Sequence, residues 1–104
     1  MATSKISVPT IIKKEYTSIS RTIGANDEFT FTKTNFGISE IQGYTPIAFY
    51  RFTSGAANVA IRSAVLDMSA SVSGVLTCVN LTSSAITTSP KVGVIWMRSD
   101  MIRD

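Results

Sequence analysis

The fold class follows from the stretch Glu28-Phe29-Thr30-Phe31-Thr32-Lys33. Phenylalanine alternates with threonine along it, and residues two apart in a β-strand share one face of the sheet. The pattern predicts a half-buried strand whose two phenylalanine rings face a hydrophobic core. The preceding Gly24-Ala25-Asn26-Asp27 has the residue types that favour chain reversal, so we expect the strand to start after a turn.

The composition of the whole chain agrees with this strand. Its 104 residues include 33 Ile, Val and Thr but only three Leu, and Ser and Thr together number 27. Residues branched at Cβ are stiff at χ1 and suit a pleated sheet. The length is that of one domain and permits a single core without disulfides or metal. The composition therefore predicts one all-β domain.

Further strand-like segments extend on both sides of this stretch. Turn residues separate them at intervals of roughly eight to twelve residues, which is typical of sandwiches and barrels. Ile11–Ile23 is predicted as one long, mostly solvated edge strand because its lysines deter unwanted pairing. The other predicted strands are Ile47–Thr53, Val59–Leu66, Val75–Leu81 and Lys91–Arg98.

We predict an antiparallel, jelly-roll-like β-sandwich of about six to eight strands over residues 11–98. Residues 1–10 are expected to form an extended N-terminal arm or linker, and residues 99–104 a C-terminal tail. Thr34–Gly43 is predicted as an ordered loop anchored by three apolar side chains, those of Phe36, Ile38 and Ile41. The expected core residues are Phe29, Phe31, Ile61, Val65, Val75, Val79, Val92 and Val94.

Two of the predicted strands, Ile47–Phe52 and Val92–Met97, carry apolar side chains on both faces. A sheet in a small monomer normally has one solvated face, so something should cover the second. Either the loop Thr34–Gly43 covers it or another subunit does. We expect a homo-oligomer, with a trimer favoured. The expected interface residues are Phe49, Phe52, Ile95 and Met97, with Ile6 and Val8 of the arm docking on a neighbour.

Most enzyme chemistries lack their usual residues in this chain. Without histidine there is no Ser-His-Asp or Cys-His nucleophile and no imidazole metal ligand. The single cysteine, Cys78, lies among aliphatic residues and is expected to be inert core. The seven carboxylates are scattered, and the glycines form no phosphate-binding run. We therefore expect a protein that is not an enzyme, with no catalytic residues, no metal and no cofactor.

The same reasoning bears on partners and location. Lys and Arg exceed Asp and Glu by 10 − 7 = 3, but the only adjacent basic pair, Lys13-Lys14, is followed by Glu15. Nucleic-acid binding needs clustered positive charge and is not expected. Met1–Lys5 is polar with no long apolar run after it, so neither a signal peptide nor membrane insertion is expected. Asn80-Leu81-Thr82 matches a glycosylation acceptor, which we interpret as a chance match.

Three aromatic residues are candidates for ligand binding: Tyr44, Tyr50 and Trp96. Their rings could stack on sugars or bases. Aromatic residues on sandwich strands are more often part of the core, and the sequence leaves both interpretations open. Tyr44 follows Gly43 in a loop, which favours the binding interpretation for that residue.

Three stretches together carry a resemblance: Ile23-Gly24-Ala25-Asn26, then Gly43-Tyr44-Thr45-Pro46-Ile47-Ala48, and finally Asn80-Leu81-Thr82-Ser83-Ser84-Ala85 before Val92-Gly93-Val94-Ile95-Trp96-Met97-Arg98. Over about Ile11–Arg98, the sequence resembles C-terminal β-sandwich modules of tailed-phage and prophage tail fibres, head fibres and minor structural proteins.

The resemblance implies a non-enzymatic and often trimeric virion protein, made in the host cytoplasm, that attaches to a host surface or braces a fibre tip. Other virion proteins or a host-surface glycan would be its partners. The alternative is a freestanding carbohydrate-binding, lectin-like domain that presents its aromatic side chains to sugars.

Overall fold

The computed structural model describes residues 9–102, which form eight strands, one short α-helix and a 3-10 helix. The all-β prediction and the predicted number of strands are confirmed. The elements are β1 (Ile11–Thr17), β2 (Arg21–Ile23), β3 (Glu28–Thr32), α1 (Lys33–Phe36), β4 (Tyr44–Thr53), β5 (Val59–Ala64), β6 (Gly74–Asn80), β7 (Ile86–Thr88), β8 (Lys91–Arg98) and the 3-10 helix Ser99–Met101.

The strands pair in a nested, antiparallel order, β1 with β8, β2 with β7 and β3 with β6. This is the pairing of an antiparallel ribbon. Strand β4 adds to the other side of β8, and β5 adds to the other side of β6. The result is a first sheet of order β1-β8-β4, a second sheet of order β3-β6-β5, and the two-stranded β2-β7 between them.

One buried cluster joins the inner faces of the two sheets in this sandwich-like fold. Val92, Val94 and Trp96 of β8 enter it from the first sheet, and Phe31 and Cys78 from the second. These residues are at most 1% exposed. Alternation along β8 therefore places Gly93, Ile95 and Met97 on the outer face of the first sheet.

Most of the predicted core is confirmed. Phe31, Val75, Val92 and Val94 are buried, while Phe29 and Ile61 are half-buried and pack against the core. Val79 is half-buried. Val65 was predicted wrongly: it is 53% exposed, because a bulge between Ile61 and Ser63 shifts the alternation of β5 and sets Ala64, opposite Leu76, toward the core instead.

The segment predicted as one long strand is interrupted. Between β1 and β2 the backbone leaves the sheet, because the Ser18 amide donates to the Pro90 carbonyl (2.8 Å) and the Ile19 amide to the Asn35 carbonyl (3.0 Å). Strand β1 lies at the edge of the first sheet, as predicted. The interruption separates β1, in the first sheet, from β2, which pairs with β7.

The loop after β3 is anchored as the sequence predicted. Thr32 and Asn35 cap α1 reciprocally, and Gly37, at φ 67°, ends it in the left-handed region. Phe36 and Ile38 are buried in the core cluster between the sheets. The loop anchors therefore enter the core, which argues against this loop as the cover of the outer face of the first sheet.

Candidate functional site

The outer face of the first sheet carries a group of apolar side chains. Ile11 pairs directly with Met97, and a bulge in β4 sets both Ile47 and Ala48 opposite Ile95. Ile11 and Ile47 are 39% and 43% exposed. We call this group the outer apolar face, defined by Ile11, Ile47, Tyr50, Ile95 and Met97.

The ring of Tyr50 lies against this face because Gly93, beneath it, has no side chain. A second bulge in β4 leaves Tyr50 without a paired residue on β8. Its ring covers Gly93 so closely that a Cβ atom there would come within 2.5–2.8 Å of three ring carbons. Lys13 Nζ lies 5.7 Å from the ring centroid. Beside the ring, Arg51 of β4 forms a 3.2 Å ion pair with Glu15 of β1, across β8. The ring is thus packed from below and 39% exposed.

The outer face of the second sheet is different in character. The hydroxyls of Thr30 and Thr77 form a hydrogen bond of 2.9 Å, and Arg62 donates to both carboxylate oxygens of Glu28 at 2.6 and 2.8 Å. The Arg62–Glu28 pair is exposed, which suits a solvated surface, whereas Thr77 is only 8% exposed. The two outer faces of the sandwich therefore differ in the side chains they present.

The residues predicted for an oligomer interface lie on different surfaces of the structure. Ile95 and Met97 lie on the outer apolar face. Phe49 and Phe52 pair with Val94 and Val92, so they lie on the inner side of the sheet. The prediction that all four share one surface was wrong, because the two bulges in β4 shift the alternation that the sequence pattern assumes.

Phe49 packs against the core, and its ring lies 5.8 Å from that of Phe52, which is 47% exposed. Phe52 is therefore a partly covered residue at the rim of the sandwich. The arm residues Ile6 and Val8, also predicted for the interface, lie outside the described residues.

A cleft opens at the end of the sandwich where β4 begins and β8 ends. It has a volume of about 580 Å³, and we call it the end cleft. A smaller cleft of about 240 Å³ shares Tyr44 with it. The end cleft is lined by Gln42, Gly43, Tyr44, Arg98, Ser99 and Asp100.

Strand pairing fixes the walls of the end cleft. Tyr44 pairs with Arg98, and the Ser99 amide donates to the Gly43 carbonyl at 2.9 Å. The Tyr44 hydroxyl donates to the Pro9 carbonyl at 2.5 Å. Two strand ends that are far apart in sequence are thus tied together by backbone and side-chain hydrogen bonds.

The lining of the end cleft includes an ion pair. Arg98 donates to both carboxylate oxygens of Asp100, at 3.0 and 3.3 Å. The Asp100 side chain is 70% exposed and that of Arg98 is 31% exposed. Hydrogen bonding to Asp100 raises the pKa of Arg98. The pair presents a charged but electrically balanced surface to the cleft.

The three candidate ligand-binding aromatics do not form one site. Tyr44 lines both clefts, Tyr50 lies on the outer apolar face, and Trp96 is 1% exposed in the core, where it borders the smaller cleft. The interpretation of Trp96 as an exposed platform for a ligand is therefore wrong. Its inward position follows from the alternation of β8, in which it shares a face with Val92 and Val94.

Trp96 meets Tyr16 inside the core. Both Trp96 Nε1 and the Tyr16 hydroxyl are buried without a hydrogen bond of good geometry among the described residues. Burial raises the pKa of Tyr16, and the nearby indole of Trp96 opposes that rise. This pair faces the protein interior and is not a candidate surface site.

Sequence reasoning missed Gln42, Arg98, Ser99 and Asp100 as site residues. They come from two chain segments that only the β4–β8 pairing brings together. The single signal that pointed to this end of the molecule was the position of Tyr44 after Gly43 in a loop.

Cys78 is confirmed as a core residue. It is fully buried, and burial raises the pKa of its thiol to about 11. Only the thiolate is nucleophilic, so we expect the native protein to resist iodoacetamide at neutral pH while the unfolded protein reacts readily. Mass spectrometry of alkylated samples, with and without denaturant, measures this difference. Rapid and complete labelling of the native protein would contradict the buried position.

Comparisons with known proteins found no relative of this chain: no family model, curated protein or solved structure matches it. Within residues 9–102, no group of three or more His, Cys, Asp or Glu side chains is placed to hold a metal ion. No helix in the same range is long and apolar enough to cross a membrane.

Proposed function

We propose that this protein is a non-enzymatic structural module of a phage virion that assembles with copies of itself through the outer apolar face, most favourably as a trimer. The observation that supports the proposal is the difference between the two outer faces. Both outer faces carry an ion pair, but the first also carries a group of apolar side chains, Ile11, Ile47, Ile95 and Met97, with Tyr50 beside them. An uncovered apolar group on one face favours a protein partner.

Burial of the outer apolar face would favour assembly. Burying roughly 300 Å² of apolar surface on each copy contributes about 7 kcal/mol per copy before the costs of association. That amount is comparable with the whole stability of a small domain.

The virion context comes from the sequence resemblance to phage fibre modules. In that context the module attaches the particle to a host-surface glycan or braces a fibre tip beside other virion proteins. The end cleft favours a second candidate, a freestanding carbohydrate-binding domain, since its polar lining and Tyr44 suit a small hydroxylated ligand. The two candidates differ in oligomeric state.

The assembly is tested by light scattering on the wild-type protein and on the double variant Ile11→Lys/Ile47→Lys. We expect the wild type to have about three times the chain mass of 11.2 kDa, and the variant to have the mass of one chain. Both side chains are partly exposed, so the substitutions should leave the fold intact.

Val72→Lys is the matched control, because Val72 is an exposed apolar residue, 76% accessible, that lies outside the outer apolar face. It should keep the mass of the wild type. A wild-type mass of one chain, or equal masses for the double variant and the wild type, would overturn the proposed assembly.

A further inference from the structure

We propose that the end cleft binds a neutral saccharide, with Tyr44 supplying an aromatic wall and the Arg98–Asp100 pair supplying hydrogen bonds. The inference deepens the attachment role described above and rests on it. It assigns that role to a different surface from the one that joins the copies.

The balance of charge in the lining selects a neutral ligand. Among the lining residues that the structure describes, the two charged ones, Arg98 and Asp100, form an ion pair. The lining of the adjoining smaller cleft likewise has one basic and one acidic residue, Lys33 and Glu40. A site for an acidic sugar or a phosphate needs an excess of Lys or Arg, which this lining lacks.

The polar groups of the cleft match the chemistry of sugar hydroxyls, which both donate and accept hydrogen bonds. Each Asp100 oxygen accepts one bond from Arg98 and retains a further lone pair, and the carboxylate is 70% exposed. Gln42 supplies an amide that both donates and accepts. Arg98 already orients the carboxylate, so a hydroxyl would meet an acceptor in a fixed position.

The aromatic wall is also fixed in place. The bond from the Tyr44 hydroxyl to Pro9 and the start of β4 at Tyr44 hold the ring at the junction of the two clefts. An ordered ring binds the apolar face of a pyranose with little loss of side-chain entropy. A hydrogen bond of 2.8 Å between the hydroxyls of Thr45 and Ser99 connects the start of β4 with the 3-10 helix next to this ring.

The size and openness of the cleft set the expected affinity. Its volume of about 580 Å³ lies within the usual range of small-molecule sites, about 300–1,000 Å³. The polar groups are solvent-exposed, so each hydrogen bond replaces one to water and contributes little net free energy. We expect millimolar dissociation constants for single sites, which multivalent display on an oligomer would strengthen.

The test is NMR titration of the labelled wild-type protein with lactose, cellobiose and chitobiose, and with sialyllactose as the acidic counterpart of lactose. We expect at least one neutral disaccharide to shift the backbone amides of Gly43, Tyr44 and residues 98–100, with sialyllactose no tighter than lactose. Asp100→Asn should weaken that binding about tenfold, because the amide replaces one acceptor oxygen and loses the charge.

Glu28→Gln is the matched control, because it breaks another partly exposed Arg–carboxylate pair, on the second sheet away from the end cleft. It should bind as the wild type does. Gln42→Ala provides a second cleft variant should Asp100→Asn disturb the spectrum of the folded protein. It too should weaken binding.

Several results would overturn the assignment: no shifts with any neutral disaccharide, shifts centred on Tyr50, tighter binding of sialyllactose than of lactose, or unchanged binding in the cleft variants. Light scattering on the same samples keeps this outcome separate from assembly. Disaccharide binding by a protein with the mass of one chain would support the saccharide site and contradict the proposed assembly. An oligomer that binds no disaccharide would support the assembly and contradict the saccharide site.

Discussion

Gly55→Ala is expected to lower the free energy of unfolding by about 3 kcal/mol. Gly55 has φ 83°, which costs a residue with a Cβ about 1–2 kcal/mol. The added Cβ would also lie 2.6 Å from the Ser89 carbonyl oxygen and 2.8 Å from Thr88 Oγ1. Because the first of these neighbours is backbone, the clash requires the chain itself to move.

The position of Gly55 in the fold explains why this movement is costly. The loop from β4 to β5 passes against β7 as the chain leaves the first sheet and enters the second. The buried Thr88 hydroxyl donates to the Ser54 carbonyl, so the loop and β7 are fastened at the contact itself. Separating them would break that bond and open the core at its edge.

Gly37→Ala is the matched control for Gly55→Ala. Gly37 also has a positive φ, 67°, but an added Cβ there would meet no atom within 4 Å. It should lose only the conformational term, about 1 kcal/mol. Urea unfolding of both variants measures the difference. Equal losses would show that the close approach at Gly55 contributes nothing.

The strands and the core residues were largely predictable because they depend on alternation within one segment. Phe31 in β3 and Val92 and Val94 in β8 are buried as expected, since nothing interrupts the alternation before them. The same reasoning failed for strand β4. Its two bulges each insert one residue, and this shift separates Phe49 and Phe52 from Ile95 and Met97.

The end cleft could not have been derived from local pattern. Its walls depend on the pairing of Tyr44 with Arg98, which are 54 positions apart, and on the register that sets Ser99 beside Gly43. Register is a property of two strands together, and the sequence of either strand alone does not specify it. The interruption after β1 has the same origin, because it is stabilised by carbonyls of Asn35 and Pro90.

Asn80→Asp is expected to cost about 3–5 kcal/mol of folding stability, although it exchanges a single nitrogen for oxygen. Asn80 is 1% exposed, and its amide nitrogen donates to the carbonyls of Ile23 (3.0 Å), Gly24 (3.2 Å) and Ser84 (2.7 Å). Its oxygen accepts from the amide and the hydroxyl of Thr82. A carboxylate would set an acceptor against three acceptors in a buried site.

This network also explains the Asn80-Leu81-Thr82 sequence without a glycan. The Asn80 amide that a glycan would occupy lies inside the fold and bonds to the ends of β2 and the loop before β7. Asn80 thus connects the end of β6 with the end of β2 and with the loop before β7, so the loss of these bonds should destabilise the whole fold. Thermal unfolding should show one cooperative transition at lower temperature.

The pH dependence of the Asn80→Asp variant distinguishes buried charge from a simple loss of packing. Burial beside three carbonyls would raise the pKa of the new carboxyl in the folded state above its unfolded value of about 3.9. The stability loss should therefore be smallest near pH 3, where both states are protonated, and grow as the pH rises to about 7. Asn58→Asp, at an exposed position, should change stability little at either pH. A loss that is equal at both pH values would contradict a buried charge and indicate a simple loss of packing.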